Sequence, residues 1–292
     1  MTSRPALEVV RCGLPVLVED GGRPGLAAIG VGRSGAADRS AWALGQRLLA
    51  NTDDAAALEI TYGTAEFAAH GALTVTLTVT LTGAPVPATV SGRPVPMATV
   101  VSLRDGDRLV LGPPETGLRT YLSVRGGIAV DAVLGSSSTD VLSGIGPAPL
   151  TAGDAVPVGT PPTGAFPVVD AAAPRRVPSP VRLRTTPGPR ADWFADAATL
   201  TTATWTVSPD SNWVAVRLDG PALERAQEYA GRELPSEGLV PGAVQVPADG
   251  RPLVFLADHP VIGGYPVIAV VRHTDLDLAA QARPGDPLTF TT

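Results

Sequence analysis

Between Ala72 and Thr82 the chain alternates without a break. Leu73, Val75, Leu77, Val79 and Leu81 take one parity, and Thr74, Thr76, Thr78, Thr80 and Thr82 the other. Successive side chains of an extended strand point to opposite faces, whereas a helix would smear this pattern around its surface, so the stretch predicts a half-buried strand. Shorter apolar runs recur at Thr99–Leu103, Arg108–Leu111, Tyr121–Val124, Leu253–Leu256 and Val267–Val271, with Gly, Asp and Pro turns nearby. Residues 7–20 open the chain in the same style, and Val181–Arg184 reads as a further strand. Such spacing predicts a barrel or sandwich. Helical signals are few. Asp38 is a good N-cap for a segment that puts Ala41, Leu44, Gly45, Leu48 and Leu49 on one face, with Asn51 as a stop. Asp192–Leu200 predicts a second, short helix capped by Asp192.

The chain has 292 residues, enough for two modest domains. Thr160–Val181 is rich in Pro and Ala and reads as a connector. The expected division is a first barrel with an extension over 1–160, a connector over 161–180 and a second barrel over 181–292. A shared skeleton suggests duplication. Asp20, Arg23, Gly25 and Gly30 have the same spacing as Asp210, Trp213, Ala215 and Gly220, and Glu59 and Glu237 are each followed by an Arg-x-Gly-Asp turn, Arg104–Asp107 and Arg283–Asp286.

The sequence contains no lysine; all 22 basic residues are arginine. That removes Schiff-base chemistry, a P-loop lysine and any attachment point for biotin on this chain. With His70, His259, His273 and the single Cys12, and no HxH or HExxH spacing, no metal site is expected. The lone cysteine permits no intrachain disulfide and fits the cytoplasm. A net charge of −6 without like-charge runs gives no reason to expect nucleic acid or an anionic membrane as a partner. No apolar run reaches spanning length, and the first residues lack the pattern of a signal peptide.

The stretch from Ser236 to Val271 collects what a small-molecule site on a β scaffold needs. Gly238, Gly242, Gly250, Gly263 and Gly264 allow close backbone approach, and Glu237, Gln245, Asp258 and Tyr265 sit beside strand ends. A hydrolase triad of Ser236, Asp258 and His259 is disfavoured. Adjacent Asp258 and His259 would face opposite ways on a strand, and there is no Gly-x-Ser-x-Gly elbow.

Ser236-Glu237-Gly238, Pro241-Gly242-Ala243-Val244-Gln245-Val246-Pro247, Asp258 and Gly263-Gly264-Tyr265-Pro266 form a series with motifs earlier in the chain. Those are Glu19-Asp20-Gly21-Gly22-Arg23-Pro24-Gly25, Gly32-Arg33-Ser34-Gly35-Ala36-Ala37-Asp38, Leu58-Glu59-Ile60, Leu81-Thr82-Gly83-Ala84, Tyr121-Leu122, Gly126-Gly127-Ile128, and Leu134-Gly135-Ser136 through Ser138-Thr139-Asp140. Taken in order, they resemble the biotin-dependent carboxyltransferase family, also called allophanate hydrolase subunit 2, which includes the C subunit of bacterial 5-oxoprolinase. The resemblance implies an all-β fold of two tandem cyclophilin-like β-barrel domains with a few short helices. It implies a subunit, inactive alone, of an ATP-dependent complex opening 5-oxoproline to glutamate. The implied partners are a chain like allophanate hydrolase subunit 1 (the B subunit of 5-oxoprolinase) and a LamB/YcsF-type chain. Two alternatives stay open: carboxyl transfer from carboxybiotin to urea or a related amide, and a non-catalytic module that antagonises a kinase inhibitor. The family shows Arg and Gly where this chain has Trp213 and Ala215, which weakens an anion-binding role for that loop.

Lactam opening or carboxyl transfer needs fixed donors for a developing oxyanion and a group to move a proton. Asp258 or Glu237 is the expected base; Arg23, with Gly263-Gly264-Tyr265, supplies donors. The catalytic candidates are thus Asp258, Tyr265, Glu237 and Arg23, and the substrate-binding candidates Asp20, Ser34, Glu59, Ser236, Gln245, Gly263 and Gly264. Asp38, Arg125, Ser138, Thr139, Asp140, Ser208 and Asp210 complete the polar set. Asp258 and Tyr265 are expected to line a pocket with Glu237 near its rim.

Overall fold

The computed structural model describes residues 4–71, 77–165 and 167–292, with backbone alone at 77 and 78. The regular elements are mostly strands with a few short helices, as expected, and the chain packs as two compact units. The first comprises the chain up to Arg23, Asp38–Thr139 and Gly144–Arg176. The second takes Pro24–Ala37 and Asp140–Ser143 from stretches that the sequence division placed in the first domain, and adds Val177–Thr292.

In the first unit, a six-stranded antiparallel sheet runs in the order Ala155–Pro157, Ala6–Cys12, Ala65–His70, Arg108–Leu111, Ala88–Val90, Arg93–Val95. A five-stranded sheet runs Leu17–Glu19, Ala57–Thr61, Arg119–Val124, Leu77–Gly83, Val101–Leu103. Both sheets contribute to one core, with Leu7, Phe67 and Leu109 from the first and Leu58, Ile60 and Leu122 from the second. Each such side chain contributes roughly 1.5–3 kcal/mol by leaving water.

Of the alternating stretch, Leu73–Thr76 lie outside the described residues, and the remainder belongs to the strand Leu77–Gly83. Val79 and Leu81 enter the core, but Thr80 and Thr82 are buried too, which corrects the half-buried expectation. The reason is the helix Arg39–Leu48, which covers the threonine face: Thr82 Oγ1 donates to the carbonyl of Ala41 at 2.8 Å. Gly45 lets the helix approach, since a Cβ there would lie 2.4 Å from Ser123 Oγ. Asp38 caps the helix by accepting from the Ala41 amide at 2.9 Å, as its sequence position predicts. The Pro/Ala-rich stretch is tied to this unit as far as Arg176. Val100 donates to the carbonyl of Asp170, Ala172 to that of Ala98, and Arg125 Nη2 to that of Gly164.

The second unit contains a closed seven-stranded barrel in the order Val181–Pro187, Val267–Val271, Ala243–Gln245, Leu253–Phe255, Ala215–Asp219, Trp205–Val207, Pro287–Thr291. Parallel pairing of Val181–Arg184 with Leu288–Thr291 closes it. Trp205, Phe290, Val244 and Val254 fill its core. The predicted helix at Asp192–Leu200 is replaced by a 3-10 turn, Ala191–Trp193, and a one-turn helix, Thr199–Thr202. Asp192 does not cap it: the N-cap is Ala198, without a side-chain bond, and Asp196 holds the turn ahead of it by accepting from the Ala198 amide and the Thr199 hydroxyl.

The repeat is mirrored in the two Arg-x-Gly-Asp turns. Arg104–Asp107 and Arg283–Asp286 form the same turn, in which the Asp carboxylate accepts from the Arg amide at 2.8 and 3.0 Å and the Asp amide returns to the Arg carbonyl. Gly106 and Gly285 take the left-handed conformation this turn requires, with φ 80° and 88°. The other pairs differ: Ala215 is a buried residue of a barrel strand, whereas Gly25 lies in a loop.

Candidate functional site

The signature stretch is held by a two-stranded ribbon in which Glu237–Gly238 pairs antiparallel with Ile262–Gly263. Gln245 is buried at the end of a barrel strand, and its Nε2 donates to the carbonyl of Tyr265 at 2.8 Å. A Cβ on Gly263 would come within 2.7 Å of that nitrogen and 2.8 Å of Leu239 Cδ1, so close approach is what this glycine provides. The Tyr265 side chain itself is 49% exposed. Glu237 is gripped by Arg190, whose Nε and Nη2 each donate to one of its carboxylate oxygens. The Arg190 bonds hold the Glu237 carboxyl below its usual range, and the carboxylate raises Arg190 in turn. Both groups are about one-third exposed, so the pair contributes little to stability after screening. Ser236 is exposed.

Asp258 belongs to a second cluster, made where three loops of the second unit meet. Its Oδ1 accepts from Ser34 Oγ at 2.7 Å and its Oδ2 from the Val141 amide at 2.9 Å. Ser34 is held at φ 52°, and its amide donates to the carbonyl of Ala257. Asp140 stiffens the middle loop by accepting from the Ser143 amide at 2.9 Å. Gly32 passes close to the third loop; a Cβ there would sit 3.1 Å from the carbonyl of His259.

His259, next to Asp258, is 6% exposed and places Nδ1 2.8 Å from the carbonyl of Pro260. A carbonyl can only accept, so Nδ1 carries the proton and Nε2 the lone pair. Burial pushes the imidazole's pKa down, which favours the neutral ring. A neutral, buried imidazole beside a hydrogen-bonded carboxylate can accept a proton at Nε2. The serine that engages Asp258 is Ser34, not the Ser236 of the disfavoured triad.

The remaining candidates lie in the first unit. Asp20 is buried in a cage of donors: Ser136 Oγ and Ser138 Oγ at 2.6 Å, the Ser137 amide at 2.6 Å and the Gly22 amide at 2.7 Å. Arg23, 2% exposed, spans the same loop by donating from Nη2 to the carbonyl of Ser138 and from Nε to that of Val133. Its Nη1 is buried and has no hydrogen-bond partner among the described residues. Asp20 and Arg23 therefore act on the 133–138 loop side by side. Glu59 sits in a separate network, accepting from Arg119 Nε at 3.1 Å and from the Tyr121 hydroxyl at 2.7 Å. Desolvation, with Glu59 and Asp38 nearby, lifts the Tyr121 pKa well above its ordinary value. The phenol thus stays a donor to Glu59 while accepting from the Asp38 amide.

Hydrogen bonds thus join Ser34 to Asp258, and Gln245 to Tyr265, while backbone pairing joins Glu237 to Gly263. Asp20 with Arg23, and Glu59 with Arg119, form two further groups. The Val141 amide, Arg190 and Arg119 stand outside the sequence candidates, and His259 enters there only in the disfavoured triad. Only His259 carried a local signal, through its place beside Asp258. Among the described residues no three His, Cys, Asp or Glu side chains are grouped to hold a metal ion, and no helix is long and apolar enough to cross a membrane.

The profile of the carboxyltransferase domain, subdomain A and B, matches residues 29–292. The chain belongs to this family. Among curated proteins, this carboxyltransferase-domain chain is 36% identical over 291 residues to the C subunit of 5-oxoprolinase from Escherichia coli strain K12, covering 97% of the chain and 90% of the relative. Among solved structures it superimposes on the protein TTHA0988 with a TM-score of 0.86 and 35% identity; all of this chain is covered but 56% of the other, so it spans a little over half of that longer protein. The K. lactis urea amidolyase gives the same TM-score at 28% identity, with 99% of this chain matched to 19% of that one.

Proposed function

We propose that this carboxyltransferase-domain chain is a subunit of an ATP-dependent 5-oxoprolinase complex that opens 5-oxoproline to glutamate. The observation that carries the reading is the end-to-end match with the 5-oxoprolinase C subunit, at 36% identity over 97% of this chain and 90% of that one. A protein named as one subunit of an enzyme works with others. The partners proposed are a chain like allophanate hydrolase subunit 1 and a LamB/YcsF-type chain, with the chain inactive without them and the complex in the cytoplasm. The longer TTHA0988 chain supports assembly, because there the matched region is covalently joined to a nearly equal length of further sequence. The urea amidolyase match favours carboxyl transfer to an amide as a second reading, at lower identity and over a small part of that enzyme. In either case a chain without lysine does not itself carry biotin.

Opening a lactam requires water or an activated oxygen to reach the ring carbonyl while a proton is removed. Asp258 already accepts at both oxygens, so in this reading it fixes Ser34 and the 140–143 loop, and it takes a proton only when one of those bonds is exchanged. His259 Nε2 is the alternative acceptor. ATP would supply a phosphoryl group to activate the carbonyl oxygen. Co-expression with neighbouring subunits, followed by assay of glutamate from 5-oxoproline with and without ATP, tests the proposal. Asp258→Asn and Arg23→Ala should each slow release by at least about tenfold. Full release by the partners without this chain would refute the function; normal rates in both variants would refute only the site.

A further inference from the structure

The second unit carries a concentration of positive charge that the reading above leaves unused. Trp193 is buried and stacks on Tyr229, with ring centroids 4.6 Å apart and planes inclined by 10°. Three guanidinium groups surround the same indole: the Cζ atoms of Arg225, Arg232 and Arg190 lie 5.3, 5.6 and 5.9 Å from its centroid. Arg225 also covers Phe194 at 5.7 Å, and Arg232 covers Tyr229 at 5.8 Å. These arginines come from separate segments, yet their placement is built in. The backbone pairs Phe194 with Arg225, the Ala226 amide donates to the carbonyl of Trp193 at 2.9 Å, and the Ala195 amide to that of Glu224 at 3.0 Å.

The hydrogen bonding of the cluster is incomplete. Arg190 is neutralised by Glu237. Asp192 lies near Arg190 and Tyr229, 3.4 Å from the Tyr229 hydroxyl, and Glu228 also acts on that phenol, so carboxylates balance much of the cluster's charge. Neither Arg225 nor Arg232 forms an ion pair among the described residues. The Nη1 of Arg225 is shielded from solvent and has no hydrogen-bond acceptor among them. Burial alone lowers the Arg225 pKa, with no opposing carboxylate. Aromatic faces compensate a guanidinium only in part, because they satisfy its π surface and leave the in-plane N–H donors unused. Leaving a buried charged donor unmade is costly, and three like charges around one ring add repulsion.

We propose that Arg225 and Arg232, with Arg190 beside them, receive a phosphate-bearing anion at Trp193. The forked donors of two arginines that form no ion pair among the described residues suit the several acceptor oxygens of a phosphoryl group, where the chain has no lysine. A carboxylate brings only two acceptor oxygens to these donors, and a phosphoryl group brings three. The same chemistry could come from a nucleotide's phosphate tail or from released inorganic phosphate. The site stands on its unused arginine donors, not on the 5-oxoproline reading, so binding and glutamate release are separate readouts.

Isothermal titration of the full chain with ATP, pyrophosphate, inorganic phosphate and glutamate, at constant ionic strength set by chloride, tests it directly. Saturable binding of at least one phosphate compound is expected, weakened at least tenfold by Arg225→Met and severalfold by Arg232→Gln. The methionine keeps an apolar body against the rings. Arg232 is exposed, so its variant remains informative if the first fails to fold. Binding of ATP and pyrophosphate alone identifies a nucleotide tail as the source, and binding of inorganic phosphate as well identifies the released ion. No saturable phosphate binding, binding unchanged in both variants, or tighter binding of glutamate would overturn the proposal.

Discussion

Replacing Ser34 separates two effects that meet at one residue. Ser34→Ala removes the hydroxyl that donates to Asp258 at 2.7 Å inside a site where both residues are buried. Hydrogen bonds to charged groups contribute about 1.5–3 kcal/mol, and the Val141 amide still serves the other carboxylate oxygen, so a loss of about 2 kcal/mol is expected. Alanine does nothing for the backbone, which stays at φ 52° with a Cβ in place. Ser34→Gly loses the same bond but relieves a left-handed strain of roughly 1–2 kcal/mol, against about 0.5–1 kcal/mol of added freedom in the unfolded chain. The glycine variant should therefore be more stable than the alanine variant by about 0.5–1 kcal/mol. Urea denaturation followed by tryptophan fluorescence reads both, with an unchanged m-value as the check that only stability moved. A double-mutant cycle with Asp258→Asn should show coupling of at least about 1 kcal/mol. Wild-type stability in both variants, or an alanine variant more stable than the glycine one, would refute the reasoning.

Breaking the buried pair in the first unit by Arg119→Met should cost about 3–5 kcal/mol, because Glu59 is then left charged in the core; adding Glu59→Gln should recover part of it, as read by thermal melting. Gly263→Ala forces a methyl group against Gln245 and Leu239 and should destabilise by about 1–3 kcal/mol in urea, whereas the neighbouring Gly264→Ala, with 3.4 Å to the nearest atom, should cost less. The depressed pKa of His259 means that its contribution to stability is complete above its unfolded value of about 6.5 and is lost as pH falls below it. His259→Gln should therefore show a smaller drop in urea midpoint between about pH 7.5 and 5.5 than the parent; an equal drop would place the acid sensitivity elsewhere.

Local chemistry was legible from residue order. The strands Arg108–Leu111 and Val267–Val271, the Asp38 cap and the paired Arg-x-Gly-Asp turns depend on neighbours a few positions away, and all are found. The series of motifs likewise sufficed to recognise the family, because family likeness is a property of order. The short helix at Asp192 failed because a capping residue acts only where the following backbone is free to coil. Here the Trp193 carbonyl is taken by the Ala226 amide, and the helix starts later, behind a turn held by Asp196. The site contacts needed the tertiary structure. Ser34 meets Asp258 across 224 residues, Asp20 meets Ser138 across 118, and Glu59 meets Tyr121 across 62. Composition supplied the arginines but not their gathering at Trp193. Which distant donor reaches which carboxylate depends on the course of the loops and, for Glu59 and Tyr121, on sheet register, where a shift of one residue would turn each side chain to the opposite face.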